Sequence, residues 1–184
     1  TARIAFLCDV DPEYAKPVFE QYPQAKRYRD YREMFDKEDG GIDAVLVATP
    51  DHTHAVICME TVRRHKHILC VKPLTRTIHE ARMLTEAARK AGIATQVTAA
   101  SSVSDRACDL CEMIWDGAIG EVREVHCWSN RPLWPQGMIR PEGSDPVPGH
   151  LDWDLWIGPA PMRPFKAKWG RDSLVMQQAK YNYP

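Results

Sequence analysis

DAVLVATPDHTH (residues 43–54), AVICMETVRRHK (55–66) and HILCVKPLT (67–75) follow one another in the chain and decide its fold. Residues 44–48 and 67–71 are almost wholly apolar, which is typical of strands that helices cover on both faces of a parallel sheet. The residues between them, from about His54 to Arg64, have the apolar spacing of a connecting helix. The stretch therefore predicts a strand, a helix and a second, parallel strand.

A proline follows each of these two strands, in Thr49-Pro50 and Lys72-Pro73. Pro50 has no amide hydrogen and favours extended backbone at Thr49, so it ends the first strand sharply. Ligands of open parallel sheets bind outside the carboxyl ends of the strands. The two strand ends therefore predict the rim of a binding crevice, and the alternative is a structural unit with ordinary proline turns.

The same alternation of strands and helices extends to both sides of this stretch. It predicts an α/β fold with a parallel sheet in a first domain, residues 1–98. A change of pattern near residue 99 predicts a second, α+β domain, residues 99–184. The further strands are expected at 3–8, 27–28, 94–98 and 122–128, and the further helices at 12–22, 30–37, 78–91, 101–115 and 152–157.

Composition and charge exclude some classes of function. The 184 residues are 44% hydrophobic and 27% charged, with a formal net charge of −1. Such a chain offers no basic face for nucleic acid or an anionic membrane. No apolar stretch resembles a signal peptide or a membrane span. We therefore expect a cytoplasmic protein with free thiols, and no metal site, because the C-x-x-C pair Cys108 and Cys111 has no further ligands nearby.

Several motifs in order resemble the Gfo/Idh/MocA family of glucose-fructose oxidoreductases and inositol dehydrogenases. They are ATPDHTH (48–54), KHILCVKPL (66–74), EARMLTEAARKAG (80–92), GAIGEVREVH (117–126) and DWDLWIGPAP (152–161). The resemblance covers roughly residues 1–165 and implies a Rossmann-like domain that binds NAD or NADP. No G-x-G-x-x-G glycine loop occurs in the chain. The chain thus looks like a family member truncated at both ends, with a partial sheet that lacks its first strand.

The resemblance also implies cofactor-binding residues. Asp9 ends what looks like the second strand of the family, where an acidic residue binds a ribose hydroxyl and favours NAD over NADP; alternatively it merely begins the next helix with Asp11. Thr49, Pro50 and His54 resemble the segment beside the pyrophosphate and the nicotinamide ribose, and the alternative is a capping turn with solvated histidines.

Lys72 is the predicted catalytic residue. In the family pattern Glu-Lys-Pro, the lysine lies near the nicotinamide and the substrate hydroxyl, and Pro73 fixes the turn in a peptide bond that is a candidate for the cis form. A lysine that is partly desolvated can relay the proton that the hydroxyl loses. The alternative is a solvated lysine after a strand.

Three departures from the family pattern leave enzymatic activity uncertain. Val71 stands where the family has glutamate, and residues 96–100 read QVTAA where relatives carry Gly-Asn-Gln. The Asp-x-x-x-His motif, whose histidine is the usual acid or base, is not present. These differences remove groups that would orient the lysine, the cofactor and the substrate.

The substrate implied by the resemblance is a secondary hydroxyl of a sugar, cyclitol or related polyol. Arg131 and Trp134, in WSNRPLW (128–134), resemble the segment that leads into the substrate pocket. Arg131 suits a hydroxyl or carboxylate, and Trp134 suits the apolar face of a sugar. A non-catalytic binding or oligomerisation module is the alternative, and a homo-oligomer is expected in either case because an open sheet edge favours association.

Overall fold

Strands and helices alternate along the first 98 residues, as the sequence predicts. The computed structural model of this protein describes residues 2–98, 104–128 and 142–167. The elements of this part are β1 (Phe6–Cys8), α1 (Lys16–Gln21), β2 (Lys26–Tyr28), α2 (Tyr31–Glu38), β3 (Ala44–Val47), α3 (His54–Arg63), β4 (His67–Val71), α4 (Ile78–Ala91) and β5 (Thr95–Thr98). Further along the chain lie α5 (Asp105–Trp115) and α6 (Trp153–Ile157).

All the strand pairs are parallel, and they form two sheets. β1 pairs with β2, and β3, β4 and β5 form a three-stranded sheet in that order. Within the described residues, β1 and β3 each have a hydrogen-bonded neighbour on one side only. The prediction of an α/β fold with parallel strands is confirmed, although the strands form two sheets and not one.

Helix α4 begins and ends where the sequence signals place it. Thr77 accepts a hydrogen bond from the amide of Glu80, and the Glu80 carboxylate accepts from the amide of Thr77. This capping box satisfies amides that the first turn of a helix leaves unpaired. Gly92 closes the helix in the left-handed conformation, with φ of 66°, which glycine adopts without a steric penalty.

Two apolar clusters hold this part of the chain together. The first lies between the three-stranded sheet and the two helices α3 and α4, and the second lies against α2 and also contacts Phe6, Cys8 and Val45 of the strands. Residues of β3 and β4 alternate, so that Val47, Ile68 and Cys70 face the helices while Leu46 and Leu69 stay exposed. The buried members are Val47, Ile57, Cys58, Val62, Ile68, Cys70 and Leu84 in the first cluster, and Met34, Phe35 and Ile42 in the second.

The first strand and the first helix are shorter than the sequence predicts. β1 covers 6–8 rather than 3–8, and α1 begins at Lys16 rather than near Pro12. The cause of the late helix start is Asp11, whose Oδ1 accepts hydrogen bonds from the amides of Glu13 (3.0 Å) and Tyr14 (2.9 Å). A carboxylate that binds these amides holds them in a turn and delays the helix.

The chain divides into two compact units, and each of them consists of two separate stretches of sequence. Residues 1–98 and 146–165 form one unit, and residues 99–145 and 166–184 form the other. From the sequence we placed residues 146–165 in the second domain, whereas in the structure they pack with the first unit. This segment belongs to the first unit because Leu151, Trp153 and Ile157 are buried there and the Asp152 amide donates to the Val10 carbonyl at 3.0 Å.

The second unit contains α5, which Ser104 caps by accepting a hydrogen bond from the Ala107 amide. No residue of α5 is buried, and Cys108 and Cys111 are exposed on it. The predicted strand 122–128 is wrong: these residues form no strand and are exposed. Alternating polarity is not enough for a strand, whose amides and carbonyls need a partner, and none pairs with this segment in the described part of the chain.

Candidate cofactor site

The carboxyl end of β3 turns at once into the start of α3. Thr49 and Pro50 lead into a single 3₁₀ turn, Asp51–Thr53, and the Thr53 hydroxyl lies 2.7 Å from both Thr49 Oγ1 and the Pro50 carbonyl. Pro50 has φ of −56°, the value that its ring imposes. The turn therefore holds the Thr49 side chain, which is exposed, at the end of the strand.

The carboxyl end of β4 carries Lys72 and Pro73. The peptide bond between them is cis, and the Lys72 amide donates to Thr98 Oγ1 at 3.3 Å. The Lys72 side chain is exposed. The partial desolvation that the sequence led us to expect is therefore not found, because no element of the first unit covers this strand end.

The two strand ends lie side by side, as predicted. Val47 pairs with Cys70, and two residues further along each strand stand Thr49 and Lys72. β5 continues the row, because Val71 pairs with Thr98. Thr49, Lys72 and Thr98 thus form an exposed polar rim at the carboxyl edge of the sheet; Thr98 was not predicted as a site residue, although it too is a polar residue at a strand end.

His54 lies beneath this rim. Its side chain is enclosed, with 1% exposure. Nδ1 lies 2.6 Å from the Pro73 carbonyl oxygen and Nε2 lies 2.7 Å from the Thr49 carbonyl oxygen. The solvated histidine that the sequence left as an alternative is wrong. Both ring nitrogens of His54 thus contact backbone carbonyls, and its predicted contact with a cofactor stays a prediction.

Asp9 lies at the carboxyl end of β1 and lines a cavity of about 410 Å³. Its Oδ1 accepts the Asp11 amide at 2.9 Å, and burial raises the pKa of its carboxyl group. The cavity walls also carry the basic side chains of Lys16, Arg27 and Arg29. A volume of this size is within the range of small-molecule pockets. The full lining is Asp9, Pro12, Lys16, Phe19, Glu20, Arg27, Tyr28 and Arg29.

The segment 146–165 contacts the turn that follows β1, through Asp11, and the turn that follows β3, through His52. The sequence did not predict these contacts. His150 Nδ1 lies 2.9 Å from Asp11 Oδ1, and Asp11 is 2% exposed. Nothing in the sequence around Asp11 indicates a partner as distant as His150. Asp11 therefore anchors this segment and is not an open cofactor ligand.

His52 is the second anchor of this segment. It is 4% exposed, and its Nε2 donates to the Trp156 carbonyl at 2.9 Å. Its Nδ1 has no hydrogen-bond partner among the described residues. Burial lowers the pKa of His52, and the positive charges of Arg163 and Arg76 lower it further. Trp156 in turn stacks on Trp153, with ring centroids 4.8 Å apart.

Two predicted site residues cannot be placed. Arg131 and Trp134, the expected substrate residues, lie outside the described residues. Within residues 2–98, 104–128 and 142–167, no group of three or more histidine, cysteine, aspartate or glutamate side chains could hold a metal ion. In the same ranges, no helix is long and apolar enough to cross a membrane.

Comparison with known proteins decides the family. Residues 1–99 match the family model described as "Oxidoreductase family, NAD-binding Rossmann fold", the Gfo/Idh/MocA model. This chain belongs to the Gfo/Idh/MocA family. The predicted resemblance is confirmed, and so, at the level of the family, are the Rossmann-like fold and the nicotinamide cofactor class.

Among the relatives in this family are an inositol 2-dehydrogenase of Arthrobacter and a levoglucosan dehydrogenase of Pseudarthrobacter phenanthrenivorans. The first is 31% identical over 138 residues, which cover 74% of this chain and 40% of the relative. The second is 29% identical over 134 residues, which cover 70% and 34%. This chain therefore spans well under half the length of the curated relatives that it matches.

A solved structure from the family gives the same result. The inositol dehydrogenase homolog of Azotobacter vinelandii, in complex with NAD⁺, is 35% identical to this chain, with a TM-score of 0.60. The match covers 66% of this chain and 33% of that one. A 3-ketoreductase of Actinomadura kijaniata, solved with NADP, matches with 26% identity and a TM-score of 0.55. The relatives and structures named here are oxidoreductases, so the comparisons do not favour the non-catalytic module.

The described residues of this family member fit a dinucleotide at the carboxyl edge. Asp9 presents a carboxylate in a cavity of suitable size, and no hydrogen bond to its second oxygen is found in the described part of the chain. Thr49 and Lys72 are exposed at the carboxyl ends of β3 and β4. Nothing in the described residues fills this edge with packed apolar side chains.

Proposed function

We propose that this chain contributes the carboxyl edge of a nicotinamide-dinucleotide site to an oxidoreductase that acts on a secondary hydroxyl of a sugar, cyclitol or related polyol. The observation that carries the proposal is the adjacency of the Thr49 and Lys72 strand ends in a unit that belongs to an NAD-binding family. The names of two relatives, an inositol dehydrogenase and a levoglucosan dehydrogenase, support the substrate class.

The proposed cofactor contacts follow the order of the strands. Asp9 accepts a hydrogen bond from a hydroxyl of the adenosine ribose, and Thr49, Pro50 and Pro73 form the wall beside the pyrophosphate and the nicotinamide ribose. The Asp9 carboxylate favours NAD because it would repel a 2′-phosphate. Arg27 and Arg29 in the same cavity would attract that phosphate, so NADP is the alternative cofactor.

Lys72 is the proposed catalytic residue. NAD⁺, when bound, would supply the hydride acceptor for the substrate C–H. The Lys72 amino group would relay the proton that the substrate hydroxyl loses, so that one hydride and one proton leave the alcohol and a ketone is formed. The hydrogen bond from the Lys72 amide to Thr98 fixes the backbone at this point. Arg131 and Trp134 remain the proposed substrate contacts.

Binding of the cofactor is tested by titration of the chain with NADH and, in parallel, with NADPH, while nicotinamide fluorescence is recorded. We expect a saturable change, because a nicotinamide ring at the rim leaves water on one face. A stronger response to NADH than to NADPH would agree with the role of Asp9. No response to either up to millimolar concentration would contradict the proposal.

Replacement of the proposed catalytic lysine is the test of the chemistry. We expect Lys72→Ala to lower inositol- or levoglucosan-dependent reduction of NAD by about 10² to 10⁴, the usual contribution of a positioned acid or base. The matched control is Lys90→Ala, an exposed lysine in the last turn of α4, which should leave turnover unchanged. Turnover that survives Lys72→Ala would show that this residue is not catalytic. NADH binding by the parent chain without any turnover would contradict the proposed activity and support cofactor binding alone.

A further inference from the structure

The candidate cofactor site is divided between two sheets. Asp9 follows β1, which pairs with β2, whereas Thr49 and Lys72 follow strands of the three-stranded sheet. Within the described residues, no backbone ladder joins β1 to β3. The separation of Asp9 from the rim at Thr49 and Lys72 therefore depends on contacts other than strand pairing.

At the amino edge, where the strands begin, α2 links the two sheets. Arg64 Nη2 donates to Asp36 Oδ1 at 2.6 Å, and Lys66 Nζ donates to the Asp39 carbonyl at 2.7 Å. Asp36 lies in α2, which follows β2, and Arg64 and Lys66 directly precede β4. These contacts hold the end of each sheet that lies opposite the candidate site.

At the carboxyl edge, the segment 146–165 contacts the turn that follows β1. The Asp152 amide donates to the Val10 carbonyl at 3.0 Å, and His150 Nδ1 lies 2.9 Å from Asp11 Oδ1. Asp11 is 2% exposed, so this contact is shielded from water. A hydrogen bond to a carboxylate in such surroundings is a strong anchor.

A few residues later, the same segment contacts the turn that follows β3. The Trp156 carbonyl accepts a hydrogen bond from His52 Nε2 at 2.9 Å. His52 is buried, so opening this contact would leave a shielded ring nitrogen without its partner, which is costly. Between the two contacts lies α6, which Asp152 caps by accepting from the Leu155 amide. A short capped helix therefore separates the two anchors.

We infer that the segment 146–165 is a clasp that holds the two halves of the candidate dinucleotide site at a fixed separation, with His150 and His52 as its positioning residues. A dinucleotide contacts both halves at once, so its affinity depends on how well the second half is placed once the first is bound. A mononucleotide contacts one half only. The effect on the cofactor rests on the proposed function, whereas the link between the sheets does not.

The link is tested without a ligand, by pulsed electron paramagnetic resonance between spin labels on the two sheets. One pair of labels stands at the carboxyl edge, at Arg29 and Lys72, and the other at the amino edge, at Gln24 and Thr95; all four side chains are exposed. A noncanonical amino acid carries each label, so the native cysteines do not react. We expect His150→Ala to broaden the distance distribution of the first pair only, because α2 still holds the amino edge.

Two variants serve as controls for the labels. In His150→Asn, the amide nitrogen stands close to the position of Nδ1 and keeps a donor for Asp11, and His79→Ala changes an exposed histidine in the first turn of α4. Both should keep the distributions of the parent chain. Broadening at both edges alike in His150→Ala, or no broadening at either edge, would overturn the clasp.

If His150→Ala does not fold, His52→Ala takes its place, because it removes the donor to the Trp156 carbonyl at the other anchor. The expected result is the same. An unchanged distribution at the carboxyl edge of this variant would also overturn the inference.

The positioning role is measured by binding of NADH and of AMP to the unlabelled chains, at a temperature where circular dichroism shows them folded. We expect His150→Ala to bind NADH about tenfold more weakly and AMP within about twofold of the parent chain, because only the dinucleotide spans both halves. Unchanged NADH affinity, or an equal loss for both ligands, would contradict the positioning role. If the parent chain binds neither ligand, the proposed function fails, and the label distances still decide whether the segment is a clasp.

Discussion

Single residues in the TPDHTH motif have roles that their polarity does not indicate. A segment with two histidines, an aspartate and two threonines is typical of a solvated loop, yet His52 and His54 are buried. Burial follows from partners elsewhere in the chain: the Trp156 carbonyl receives a hydrogen bond from His52, and the Pro73 carbonyl contacts His54. The motif is therefore a junction between strand ends and the segment 146–165.

His52 predicts a dependence of stability on pH. Burial and the charges of Arg163 and Arg76 lower its pKa from the ordinary value of 6.5, so the unfolded chain takes up a proton that the folded protein resists. The free energy of unfolding should therefore decrease as the pH falls below about 6.5, and this loss should be absent at higher pH.

The measurement is urea unfolding at about pH 7.5 and about pH 5.5, on either side of the ordinary histidine pKa. His52→Gln keeps a donor for the Trp156 carbonyl but does not titrate, so it should lose less stability between the two values than the parent chain. His79→Gln, at an exposed site, should lose as much as the parent. Equal losses for all three proteins would show that His52 does not control the effect.

At the level of elements, local signals predicted the helices better than the strands. The bounds of α4 agree with its capping box and its closing glycine, and β4 agrees with its apolar run. The predicted strand 122–128 failed because a strand depends on a partner that local sequence does not specify. α1 was placed too early because Pro12 suits the first turn of a helix, while the Asp11 carboxylate holds the amides that follow.

The capping box of α4 gives an element-scale prediction. Thr77→Ala removes the oxygen that accepts from the Glu80 amide, and it should lower the free energy of unfolding by about 1 kcal/mol. Thr85→Ala is the matched control, because Thr85 lies in the interior of the same helix and bonds its own preceding turn. Denaturant unfolding should show the loss for Thr77→Ala only; similar stabilities for the two variants would contradict the importance of the cap.

At the scale of the whole molecule, one face of the three-stranded sheet has no cover in the first unit. Leu46 and Leu69 are paired across β3 and β4 and are 62% and 39% exposed. β1 and β3 also present unpaired edges within the described residues. Exposed apolar sheet surface and open edges favour association. These features are the basis for the homo-oligomer that we predict.

Gel filtration with light scattering tests this prediction. We expect the chain to elute as an oligomer and Leu46→Lys to shift it toward the monomer, because a charge on this face opposes its burial. Ile78→Lys is the control, since Ile78 is 75% exposed at the start of α4, the helix that packs on the covered face of the sheet. A monomeric parent chain, or dissociation by both variants alike, would remove this face as the association surface.

The sequence by itself determined the family, the parallel α/β order of the first 98 residues and the adjacency of Thr49 and Lys72. These follow from local apolar periodicity, turn residues and motifs, each of which is complete within a short stretch. Tertiary structure alone decided that His52 and His54 are buried, that Lys72 is exposed, and that residues 146–165 join the first unit. The reason is that burial and hydrogen-bond partners depend on residues distant in sequence, here up to 139 positions apart for Asp11 and His150.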